Sequence, residues 1–276
     1  MIIEHREIKY NGKVVFEKIV LTNDFRRMPK IFVEDEACFL FVRKGAFSYR
    51  TPTNLMKLHE GNALLSKCGN YFYEQVPSKP EDEIISAVGA YFYPSMVKDF
   101  FQTDLSMLDL KNNFDAKRVN VDPLLKSFAE SIDYLLDNPE LADEGLILNK
   151  LKELIILLSK SETSINQLIS SMFLPFEYNI TEVIQNNIFS NLSLEEFAKL
   201  CNCSLATFKR KFERLYNESP AKYILQKKLD YSSQLLQIKN KPITDIAFEC
   251  GFETLSNFNK AFKNYFGKSP SEYRMS

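Results

Sequence analysis

Ile246-Ala247-Phe248-Glu249-Cys250-Gly251-Phe252-Glu253-Thr254-Leu255-Ser256-Asn257-Phe258-Asn259-Lys260-Ala261-Phe262, closed by Ser269-Pro270 and Tyr273, is the second of two related stretches in this chain. Phe258, Phe262, Ser269, Pro270 and Tyr273 stand fifty residues after Phe208, Phe212, Ser219, Pro220 and Tyr223. Ile243, Ile246, Ala247 and Cys250 stand forty-nine after Leu194, Phe197, Ala198 and Cys201. Self-similarity at one period marks a supersecondary unit used twice, and the one-residue difference falls in the turn.

Each copy has the anatomy of a helix-turn-helix. In the first, Ser193-Leu194-Glu195-Glu196 is a capping box that starts a helix, and Ala198 supplies the small side chain needed at a close helix crossing. Asn202-Cys203 breaks that helix. Ser204 caps a second one, whose Phe208 and Phe212 face inward and leave Leu205, Ala206, Lys209 and Arg210 outward near its N-terminus. Those are the positions that enter a major groove. In the second copy Gly251 sits in the turn, where positive φ is cheap for glycine, and Leu255, Ser256, Asn257, Asn259 and Lys260 take the outward places. A long amphipathic helix from about Pro220 to Gln237, apolar at Tyr223, Ile224, Leu229 and Leu236, joins the units.

The residue types suit reading of a duplex. Arg210 can pair bidentately with guanine, and Asn257 or Asn259 with adenine, each pair discriminating by about 1–3 kcal/mol. Ser204, Lys211, Arg214, Lys228, Lys263 and Lys268 are candidates for phosphate contacts, with Lys222 and Lys227 beside them; an idle solvated charge is the alternative for each lysine. From Glu177 onward 14 Lys+Arg stand against 11 Asp+Glu, whereas the preceding part has 21 against 25. A modestly basic C-terminal part beside an acidic N-terminal one fits a nucleic-acid module joined to a domain that need not touch phosphate.

Towards the N-terminus the pattern changes to short β-rich runs between about Lys13 and Pro94: Val14 to Leu21, Ala37 to Val42, Ala46 to Arg50, Ala63 to Ser66 and Ile84 to Tyr93, punctuated by Lys44-Gly45, Glu60-Gly61-Asn62 and Gly69-Asn70. An antiparallel sandwich or barrel fits, and the uninterrupted apolar run Ala37 to Val42 reads as a strand buried on both faces. After Tyr93 the period becomes helical. Asp122-Pro123 caps a helix with Leu124, Leu125, Phe128, Ile132, Leu135 and Leu136, followed by stretches around Ile147 to Leu158 and Ile165 to Met172. These stripes pack on the sheet or, for one of them, form a dimer interface. Proline in Phe173 to Asn179 breaks the pattern, so the expected organisation is residues 1–172, a linker 173–180, and 181–276.

A chain of 276 residues suits two domains. No apolar run approaches the roughly 20 residues of a membrane span, and the N-terminus lacks an export signal, so a soluble, cytoplasmic protein with no membrane partner is expected. Five scattered cysteines predict reduced thiols rather than a disulfide framework. His5 and His59, the only histidines, belong to no ligand cluster, and Cys201-x-Cys203 lacks zinc spacing. No catalytic set, metal or cofactor is expected, which argues against an enzyme. A protein-binding use of the helices is the remaining competitor, and salt dependence of binding would separate the two.

Ser204-x-x-x-Phe208-x-Arg210-x-Phe212, and Ile246-Ala247-x-x-x-Gly251-Phe252-x-x-x-Ser256-x-Phe258-x-x-x-Phe262-Lys263-x-x-x-Gly267-x-Ser269-Pro270-x-x-Tyr273-Arg274, resemble the AraC/XylS transcription regulators over about Thr181 to Arg274. Lys260 stands where arginine is frequent in that family, which leaves the base read by the second unit open. The resemblance implies tandem units on adjacent major-groove segments of double-stranded DNA, usually in an activator that recruits RNA polymerase. It also implies an α+β chain in which a cupin-like β-barrel followed by helices senses a signal and forms a homodimer. The effector would be a small molecule or a regulatory protein. A pocket in such a barrel would be lined by Phe39, Phe41, Phe47, Tyr49 and Phe72, with Tyr73 nearby; a filled core is the alternative.

Overall fold

The computed structural model describes residues 2–22, 24–29, 37–67, 69, 71–76, 84–93, 115–161, 179–238 and 240–275. The chain divides into two compact units, Met1–Phe176 and Glu177–Ser276. The third apolar stretch, Ile165 to Met172, and residues 173–178 of the expected linker lie outside the described residues, as does Cys68.

The first unit is β-rich. Its strands are β1 (Ile2–Tyr10), β2 (Lys13–Thr22), β3 (Arg27–Pro29), β4 (Ala37–Lys44), β5 (Ala46–Arg50), β6 (Leu55–His59), β7 (Ala63–Lys67), β8 (Phe72–Gln75), β9 (Ile84–Phe92) and β10 (Ala116–Val119). They pair antiparallel in two sheets, ordered β1-β2-β9-β4-β7-β10 and β3-β8-β5-β6, so among the described residues the barrel is open rather than closed. β3, β6 and β8 lie inside the stretch read as β-rich without having been singled out, and β1 and β10 extend beyond it. β1 begins at Ile2 and carries His5 within the sheet; its mostly exposed, charge-rich edge position leaves no alternating apolar signal. β10 pairs with β7 in a part of the chain expected to be helical.

β4 is buried throughout Ala37 to Val42, as its apolar run predicts. Leu40 and Val42 meet Phe47, Tyr49 and Leu58 of the second sheet, whereas Phe39 and Phe41 join a separate core with the helices. Helix α1 (Pro123–Asp137) starts on Asp122, whose Oδ1 accepts from the Leu125 amide at 2.8 Å. With α2 (Glu144–Ser161) it covers the larger sheet, Phe128 meeting Phe39 edge-on at 6.4 Å. Leu125, Phe128, Ile132, Leu135, Ile147, Leu151, Leu154 and Leu158 are all spent on this core. These side chains therefore pack on the sheet, while Leu124 of the same stripe is exposed.

The second unit is helical: α3 (Ile180–Asn187), α4 (Leu194–Leu200), α5 (Leu205–Tyr216), α6 (Pro220–Leu236), α7 (Ile243–Glu249), α8 (Leu255–Phe266) and α9 (Pro270–Met275). Each half is built on aromatic side chains at repeat-related places. Phe212 meets Tyr216 at 4.5 Å and Tyr223 at 5.5 Å; Phe262 meets Phe266 at 4.5 Å and Tyr273 at 5.3 Å.

Candidate nucleic-acid interface

The two helix-turn-helix units are made by matching local devices. Ser193 and Glu196 form the expected capping box, with Ser193 N donating to Glu196 Oε2 at 2.8 Å and Glu196 N to Ser193 Oγ at 3.2 Å. α4 then ends at Cys201 and α7 at Cys250. The following residue adopts the left-handed conformation in both, Asn202 at φ 51° and Gly251 at φ 76°. The chain returns through Cys203 N to Ala198 O and Phe252 N to Ala247 O, each 3.0 Å. Both alanines are buried, as the close crossing requires. Burial pushes the Cys201 and Cys250 thiols up to about 12, which keeps them protonated and unreactive.

Ser204 caps α5 by accepting from Thr207 N at 3.2 Å, and Thr254 caps α8 by accepting from Asn257 N at 3.1 Å. Phe208 and Phe212 in α5, and Phe258 and Phe262 in α8, are fully buried. The opposite faces lie open: Ala206, Lys209, Arg210, Ser256, Asn257, Asn259 and Lys260 are exposed, while Leu205 and Leu255 are half-buried. Successive residues advance roughly 100° around a helix, so Arg210 and Lys260 point almost directly away from their phenylalanines, with Ala206 and Ser256 beside them. Lys209 and Asn259 sit on one flank. Asn257 sits on the other, about 160° from Asn259. A groove of about 550 Å³ between α6 and α8 is lined by residues that include Lys222, Leu225, Gln226, Asn257, Lys260 and Tyr265.

The sequence reading passed over Thr207. It is the repeat-mate of Asn257, is half-buried, and has its hydroxyl 3.0 Å from Ser204 Oγ. The fifty-residue offset was the available signal. Among the candidate phosphate contacts, Ser204, Lys211, Arg214, Lys263 and Lys268 are exposed, and Ser204 also serves as a cap. Lys222 is exposed and paired with Glu218 at 2.7 Å.

Lys228 is a correction. It is 8% exposed, and its Nζ donates to Ser190 O at 2.6 Å and to Gly251 O at 3.0 Å, so it is turned away from any phosphate. Ile224, Lys228 and Ser232 form one buried row at four-residue spacing on α6. The lysine head group lies inside, against backbone carbonyls.

In the first unit the expected effector residues separate. Phe39 and Phe41 face the helices and cannot line a space between the sheets. Tyr49 is buried, its hydroxyl 3.2 Å from Ser66 Oγ, and Phe72 is buried beside Arg27. Phe47, with Leu40 and Tyr73, borders a space of only about 20 Å³. A larger cavity of about 170 Å³ is lined instead by residues that include His5, Glu7, Glu17, Tyr73, Tyr91 and Tyr93. His5 Nε2 lies 3.0 Å from Glu17 Oε1, and Tyr91 donates its hydroxyl to the same carboxylate. Burial, reinforced by the charge of Glu17, pushes the Tyr91 phenol well above its usual range.

Comparison with known proteins follows this division. A family model described as "Helix-turn-helix domain" matches residues 197–276, and one described as "ExsA N-terminal regulatory domain" matches residues 37–171. The chain is 27% identical over 239 residues to the virulence regulon transcriptional activator VirF of Yersinia enterocolitica, covering 84% of this chain and 86% of VirF. It is 34% identical over 98 residues to the multiple antibiotic resistance protein MarA of Escherichia coli, covering 36% of this chain and 77% of MarA. Among solved structures, a transcriptional regulator with an AraC-type DNA-binding domain from Chromobacterium violaceum is 30% identical. That match covers 35% of this chain and 86% of the other, at a TM-score of 0.31.

Proposed function

The chain belongs to the AraC/XylS family of transcriptional regulators, and from that membership we propose that it reads two adjacent major-groove segments of one DNA face with α5 and α8. The observation that carries this reading is the repeat of outward faces: Ala206 and Arg210 recur as Ser256 and Lys260 on helices with identical phenylalanine anchors. Arg210 pairs with guanine, and Lys260 serves the same place in the second unit. Asn257 and Asn259 reach different bases because they lie on opposite flanks. Lys209 and the half-buried Leu205 and Leu255 border the same faces, and Ser204, Lys211, Arg214, Lys263 and Lys268 meet phosphates.

The protein acts as an activator, a role supported by the name of its relative VirF, and recruitment of RNA polymerase is what the family resemblance implies for that role. Residues 1–172 sense a signal and form the homodimer, residues 173–180 link them to the DNA-binding domain 181–276, and the protein works in the cytoplasm as a regulator rather than an enzyme. Among the described residues no helix is long and apolar enough to cross a membrane. The signal is a small molecule or a protein partner; the cavity beside Glu17 and Tyr91 supports the first.

Selection of the full-length protein on random duplex DNA at two salt concentrations tests the central reading. Enrichment of two sequence blocks one helical turn apart is expected, with weaker binding at the higher salt. Salt-insensitive binding with no enriched sequence would instead favour a protein target for these helices.

A further inference from the structure

Three segments of the second unit converge on the Lys228 head group. The first is α6, which carries it between the two helix-turn-helix units. The second is the turn after α3 that leads into the first helix-turn-helix, whose Ser190 carbonyl accepts at 2.6 Å. The third is the turn of the second helix-turn-helix, whose Gly251 carbonyl accepts at 3.0 Å. Both acceptors follow helix C-termini, where backbone carbonyls lack helical partners and favour a cation. Phe252 adds its ring at 5.9 Å. The two turns also touch directly, because a Cβ on Gly251 would fall 2.3 Å from Phe189 O and 2.6 Å from Ser190 O.

A methionine would fill nearly the same volume without the cost of taking an ammonium out of water. What it lacks is the ability to hold at one point two carbonyls, one from the turn leading into the first helix-turn-helix and one from the turn of the second. We propose that Lys228 is the positioning residue that sets the mutual angle of the two helix-turn-helix units, and through it the spacing of the two DNA segments they read. This rests on the tandem reading above. Both recognition helices are anchored through the joined elements: α8 follows the Gly251 turn, and α4 and α5 follow the segment that holds Ser190. Loss of the tie lets the units rock about α6, so a register that was rigidly selected becomes one of several.

The test uses the full chain and the two-block site found by selection, together with derivatives whose blocks are one or two base pairs closer or farther apart. Wild type is expected to bind the selected spacing best. Lys228→Met, with unchanged far-UV circular dichroism, should lose about tenfold on that spacing, the equivalent of roughly one strong hydrogen bond, and should discriminate less among spacings. Lys228→Arg, whose forked guanidinium can serve two carbonyls, should restore the spacing preference. A general loss of stability would lower affinity on all spacings alike and would leave the preference intact. If Lys228→Met does not fold, Lys228→Gln, too short to reach both carbonyls, is read on the same two measures. A folded variant of either kind with wild-type spacing preference overturns the inference. A wild type that is itself indifferent to spacing overturns the tandem reading, and this inference with it.

Discussion

Arg210 stands on the outermost line of α5, exposed and opposite Phe208 and Phe212. Arg210→Ala should weaken binding to the selected site by about 1–3 kcal/mol and relax discrimination at one base pair. Quantitative binding to single-base variants checks this, and equal loss on all sequences would remove Arg210 from base reading. Lys263 is exposed where Lys228 is enclosed, so the two should differ in salt dependence. Lys263→Ala should lower the slope of log affinity against log salt by about one, and Lys228→Met should leave it unchanged.

Lys228 also predicts a pH effect on stability. Burial holds its ammonium down to about 8, partly offset by Cys250 and Glu253, against an ordinary value of 10.5. Below pH 8 the amine is protonated in folded and unfolded chains alike. Between about pH 8 and 10.5 the folded chain sheds its proton first, the unfolded chain holds more protons, and this group's contribution to stability rises with pH by up to about 3 kcal/mol. Denaturant midpoints of wild type and Lys228→Met, followed by circular dichroism from pH 7.5 to 10, should therefore diverge in favour of wild type. A constant difference would contradict the shift.

At the scale of elements, turns decide how the helices meet. Gly251 and Gly267 both adopt positive φ, but a Cβ at Gly251 would meet the Phe189 and Ser190 carbonyls, whereas one at Gly267 would find nothing within 4 Å. Gly267→Ala should cost about 1 kcal/mol from φ alone, and Gly251→Ala clearly more, because backbone must move as well. Denaturant midpoints of the two full-length variants give the comparison; equal values would mean the seam yields freely. These helix starts and stops were legible in Ser193 with Glu196, in Asp122 with Pro123, and in the Asn202–Gly251 correspondence, because caps and turns are satisfied by neighbours in sequence. β1 and β10 were not legible. An exposed edge strand and a four-residue strand take their definition from partners distant in the chain, β2 and β7.

Across the whole molecule, periodicity and composition carried the reading a long way. The fifty-residue repeat, the inward phenylalanines, the open outer faces and the change from β-rich to helical chain are all local patterns, and each physical cause acts within a few residues of its signal. Two helix-turn-helix units, their outward residues and an N-terminal β-rich part could therefore be read from residue order alone. Tertiary structure alone decided which face of β4 looks between the sheets, since α1 and α2 bury the other face equally well and send Phe39 and Phe41 there. It alone gathered His5, Glu17 and Tyr91, from three strands, around one cavity. And it alone turned Lys228 inward: a lysine's sequence neighbours do not reveal that two carbonyls, 38 residues before it and 23 after it, offer its ammonium a replacement for water.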